Sequence, residues 1–108
     1  MACSVIVYSS IRSINAELGT DRPSIVLEDP AAGALYECDS SMLVSAIDSY
    51  SDAVFNDRQR ERLLAEMRNV ASEMDDEDAR DNLVAVADFI DAQWPPRSPD
   101  ACAVFVGD

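Results

Sequence analysis

Wound as a helix at 100° per residue, residues 77–94 place Glu77, Asp81, Asp88 and Asp91 within a sector of about 80°. The run Asp75-Asp76-Glu77-Asp78 adjoins them. Carboxylates in that arrangement can do three kinds of work. They can hold a hard cation, trade a proton as a pair, or meet a basic surface. The rest of the sequence decides among the three.

A calcium-binding EF-hand loop needs a glycine at its sixth position and a glutamate at its twelfth. Counted from Asp76, those positions hold Asp81 and Ala87, so the motif fails. Only adventitious Ca²⁺ or Mg²⁺ at Asp75–Asp78 is left, and no metal ligand set is expected.

Proton chemistry fares no better. The chain carries 21 acidic residues against 8 basic ones, a net charge of -13 on 108 residues, and every base is an arginine. Without histidine there is no Ser-His or Cys-His nucleophile, and without lysine there is no Schiff base and no Ser-Lys pair. Neither GxGxxG nor a P-loop occurs, and three glycines are few with which to build such turns. Paired carboxylates can hydrolyse glycosides, but among so many acids no spacing singles out a pair. The expectation is a protein with no catalytic residue and no cofactor, and not an enzyme.

A basic surface remains. Residues 75–108 carry nine acids and two arginines, against four of each in residues 56–74. Ordinary soluble helices interleave lysines to form i,i+4 pairs, whereas Glu77 and Asp81 are like charges at that spacing, which costs a few tenths of a kcal/mol. Asp76, Glu77, Asp78, Asp81, Asp88 and Asp91 are therefore the candidate partner-binding residues. The partner they suit is a basic protein, such as a nucleic-acid-binding effector or a nuclease. Nucleic acid itself and an anionic membrane would be repelled by the field of the whole chain. Arg58, Arg60, Arg62 and Arg68 do not reverse this, because Asp57, Glu61, Glu66 and Glu73 cancel them and leave no basic footprint. They are expected to pair within their helix or with an acidic neighbour. The plainer reading of the stripe is a solvated face.

The bulk features bound the fold and its setting. At 108 residues, 48% of them apolar, one domain spanning 1–108 with one core is expected. No apolar run approaches the roughly 18 residues of a membrane span. The start Met-Ala-Cys-Ser-Val-Ile-Val-Tyr lacks a basic region before its apolar core, so no signal peptide is expected. Cys3, Cys38 and Cys102 are odd in number and dispersed, which suits buried thiols in a reducing, cytoplasmic setting.

The elements that must position the acids follow from spacing. Asn56 with Gln59 three residues on predicts a capping box. It opens a helix over 57–74 that turns Leu63, Met67, Val70 and Met74 to one side. The acidic run predicts a turn and then the first turn of a helix over 77–94, where carboxylates oppose the positive end of the helix dipole. That helix buries Leu83, Val86, Ala87, Ile90 and Trp94 and stops at Pro95-Pro96. A third helix is predicted over 41–54 from Leu43, Ile47, Tyr50 and Val54, and a short one over 10–18 ending at Gly19. Strands are predicted at 4–8, 24–28, 34–38 and 103–106. The two middle strands flank a turn at Glu28–Gly33, and the last lies beside the first. The expected architecture is α+β: a three- to four-stranded sheet packed against an antiparallel three-helix bundle. The alternative is a mostly helical bundle with a loose hairpin.

In size, charge and lack of catalytic residues the chain resembles the small acidic inhibitors that phages use against host defence nucleases, anti-CRISPR proteins among them, some of which mimic DNA. That resemblance implies an inhibitor that occupies a partner's nucleic-acid-binding surface. It rests on no motif and carries over no residue. Two other readings share the composition. One is an immunity protein that neutralises a basic toxin. The other is an accessory subunit whose acidity reflects a salt-adapted or GC-rich organism, as fifteen alanines, arginine in place of lysine and a twofold excess of Asp over Glu would suit.

Overall fold

A computed structural model describes residues 2–8, 23–39, 42–47, 52–94 and 96–107. The fold is α+β, a four-stranded antiparallel sheet with three helices. In chain order the elements are β1 (Cys3–Tyr8), β2 (Ser24–Leu27), α1 (Asp29–Tyr36), a 3-10 turn (Leu43–Ala46), β3 (Ala53–Asn56), α2 (Asp57–Ser72), α3 (Glu77–Gln93) and β4 (Cys102–Val106). The strands lie in the order β2-β1-β4-β3. As expected, the last strand lies beside the first, with Val5 opposite Phe105 and Val7 opposite Ala103.

Alternation along the strands gives the sheet two different faces. Cys3, Val5, Val7, Leu27, Ala53, Phe55, Ala103 and Phe105 join the main core with the helices. Phe55 and Phe105 meet edge to face there, with ring centroids 5.6 Å apart. The other face carries Ser4, Ile6, Tyr8, Ser24, Val26, Val54, Asn56, Cys102, Val104 and Val106, and no charged residue. All the charge that strands could have displayed is left to helices and loops.

Two expected elements change identity. The strand predicted at 34–38 is the end of α1. Pro30 sits in the first turn of that helix, where its missing N–H costs nothing, and Ala31, Ala32 and Leu35 are buried. β2 therefore pairs with β1 instead of forming a hairpin with 34–38. The helix predicted over 41–54 is also absent from its described part. Leu43–Ala46 is a single 3-10 turn, and Ala53–Asn56 is an edge strand paired with β4. Ala53 and Phe55 face inward while Val54 and Asn56 face out, a period of two hidden by the helical spacing of Leu43, Ile47, Tyr50 and Val54 in the sequence. The helix predicted over 10–18 lies outside the described residues. No described helix is long and apolar enough to cross a membrane.

The hairpin of α2 and α3 matches the sequence closely. The Asn56–Gln59 capping box is in place, with Gln59 Oε1 accepting the Asn56 N–H at 3.0 Å. Leu63, Met67 and Val70 of α2 meet Leu83, Val86, Ala87 and Ile90 of α3 in the core, and Trp94 is fully buried.

Candidate functional site

α3 starts where the sequence required. Asp76 is its N-cap, and its Oδ1 accepts the Ala79 N–H at 3.1 Å. Glu77 and Asp78 occupy the first turn, and Asp81 follows one turn on. Asp75, Asp76, Glu77, Asp78, Asp81, Asp88 and Asp91 are all exposed, so the predicted stripe does lie on the outer side of the helix. Val84, Ala85 and Ala92 lie exposed among the acids.

The stripe is not electrically uniform. Arg68 of α2 donates to Asp88 at 2.8 Å and approaches Asp91 at 3.6 Å. Arg60 donates to the other oxygen of Asp91 at 2.7 Å. Compensation that the sequence of α3 lacks is thus supplied from the neighbouring helix, but only over its C-terminal half. Glu77, Asp78 and Asp81 form no ion pair among the described residues, and neither does Arg80 beside them. The helix dipole accounts for acids in the first turn. It does not account for Asp81, which lies beyond that turn and four residues from Glu77.

Arg60 is the residue that sequence reasoning missed. It is 3% exposed, and its Nε and Nη2 donate to the Trp94 carbonyl at 3.0 and 2.8 Å. Nη1 donates to the Glu61 carboxylate. The last turn of α3 has no basic residue of its own, so its carbonyls and the negative end of its dipole are met by a guanidinium from α2. The signal was present: Arg60 stands one turn before Leu63 and Leu64 on the same side of α2 as Met67, where helical spacing places a buried residue.

The other arginines of α2 divide as expected or stay outside. Arg62 pairs within the helix with Glu66 at 2.8 Å, and the second oxygen of Glu66 accepts the Val44 N–H at 3.1 Å, fixing the 3-10 turn. Arg58 is exposed and borders an open depression with Asn56, Asp57 and Pro99.

Chemistry at the remaining groups is subdued. Cys3, Cys38 and Cys102 form no disulfide. The Cys38 thiol donates to the Ala34 carbonyl at 3.2 Å. Burial pushes its pKa up, and the charges of Glu66 and Glu73 push it further, so it stays a poor nucleophile at neutral pH. Among the described residues no three carboxylate or thiol side chains converge to hold a metal ion.

No family model, curated protein or solved structure matches this chain.

Proposed function

We propose that the chain is a non-enzymatic binding protein that presents the N-terminal half of α3 to a basic protein surface and so blocks it. The surface it would occupy is one that normally grips nucleic acid, which makes the chain an inhibitor of the kind phages deploy against host defence nucleases. Asp81 carries the reading. It is exposed and makes no ion pair among the described residues, it repels Glu77 at i,i+4, and the helix dipole does not account for it. Asp75, Glu77 and Asp78 extend the same patch. Within the stripe the weight falls on this end, since Asp88 and Asp91 already face arginines.

The net charge of -13 supports steering of such a partner over distance, and it opposes direct contact with nucleic acid. An immunity protein set against a basic toxin would use the same electrostatics, with the toxin as the basic partner.

The test begins with capture of a partner from host lysate and elution in a salt gradient. Association kinetics of the purified partner are then compared for the parent, for Glu77→Arg/Asp81→Arg and for Asp88→Arg, at two salt concentrations. The double variant should associate more slowly and lose most of its salt dependence, with Asp88→Arg affected less. The partner should also lose nucleic-acid binding when the parent is bound. Association rates indifferent to salt and to both variants would end the proposal.

A further inference from the structure

Among the described residues β2 is an edge strand, hydrogen-bonded to β1 on one side only. An edge of this kind is a template on which another strand can add, and proteins that stay unpaired cover or blunt it. Among the described residues the cover is one side chain of α3. Asn82 Nδ2 donates to the Val26 carbonyl at 2.9 Å, and its Oδ1 accepts the Glu28 N–H at 2.9 Å. A primary amide that donates to residue i and accepts from residue i+2 reproduces what a neighbouring strand would offer. Alternation in an antiparallel ladder sends the backbone groups of Ser24 and Val26 in that same outward direction.

We infer that Asn82 is an edge guard, and that the occupant it excludes is β2 of a second copy of this chain. Three observations select that occupant. Ser24-Ile25-Val26-Leu27 has no charge, so two copies can approach along it in a molecule that otherwise repels itself. Val26 is 49% exposed, a large apolar side chain at the open edge. An antiparallel pair of β2 strands about a two-fold axis would set Ser24 opposite Val26 of the other copy, and its ladder would need the Val26 carbonyl that Asn82 holds. The contact is isologous and closes on itself, so it yields a dimer and not a fibre.

Sedimentation of the full chain over a wide concentration range, in low and in high salt, tests this. The parent should stay monomeric. Asn82→Ala should self-associate in high salt, where repulsion between copies is screened, at least about tenfold more tightly than the parent, a factor corresponding to about 1.4 kcal/mol. Adding Val26→Pro should return Asn82→Ala to monomer, because proline removes an outward N–H without touching the ladder to β1. A folded Asn82→Ala protein that remains monomeric overturns the inference. So does a dimer that survives Val26→Pro, since it forms elsewhere. Should Asn82→Ala fail to fold, amide exchange in the parent decides. The Glu28 amide must exchange more slowly than that of Ser24, which lies on the same edge with no guard among the described residues, and equal rates remove Asn82 from the role.

Discussion

At its C-terminal end α3 is held by Arg60, Arg68 and the buried Trp94, while at its N-terminal end it shows Glu77, Asp78 and Asp81 with no arginine paired to them among the described residues. Acids line both ends, but only one end is neutralised. Cations are favoured where a helix exposes its carbonyls, and anions where it exposes its N–H groups, so the dipole directs this division. Compensation is therefore a property of position in the fold, and a stripe that is continuous in sequence becomes two surfaces of different character. One is structural, and the other is left for solvent or a partner.

The comparison can be broken at its anchored end first. Trp94→Ala should cost about 3–5 kcal/mol in urea unfolding, the usual loss for a fully buried large aromatic residue. An unchanged midpoint would show that the C-terminal half is not anchored there. Arg60→Ala should cost about 2–3 kcal/mol, because the Trp94 carbonyl loses charged donors in a buried setting. Its melting temperature should be less sensitive to salt than the parent's, and an equal salt response would place the loss in packing alone.

The N-terminal half is probed by two neighbouring acids with different duties. Asp76→Ala should cost about 1 kcal/mol through loss of the cap. Asp81→Ala should leave stability equal or slightly higher, since it relieves repulsion from Glu77. Equal losses in thermal melts would mean that Asp81 has a structural partner and does not belong to the unpaired surface. A gain of comparable, small size is expected in α1, which packs against α3 and the 3-10 turn. A Cβ added at Gly33 meets nothing within 4 Å, so Gly33→Ala should stabilise by about 0.5–1 kcal/mol as in any exposed helix interior. A loss instead would show that Gly33 lies in a turn and not in a helix.

Much of the candidate face is legible in the sequence itself. The capping box at Asn56, the acidic start at Asp76 and the buried set from Leu83 to Trp94 are local signals within one or two helical turns, and each appears where spacing put it. The segment 29–56 was not legible, for a physical reason. Asp-Pro-Ala-Ala-Gly reads as a turn by composition, yet the same residues open a helix once Ala31, Ala32 and Leu35 have a core to enter. Ala53 and Val54 read as the end of a helix until β4, about fifty residues further on, offers Ala53–Asn56 a ladder. Short elements have weak local preference, and the decisive contacts are non-local.

The amino-acid sequence alone determined the net charge of -13, the absence of histidine and lysine, the α+β class and the α2–α3 hairpin with its apolar seam. Those features depend on residue type and on periodicity within a single element. Tertiary structure decided which acids of α3 are neutralised, that Arg60 is buried at the end of a helix it does not belong to, and that Asn82 faces the described edge of β2. Each of these joins residues 20 or more positions apart. Composition fixes how much charge a chain carries, but which charges meet depends on how the elements pack.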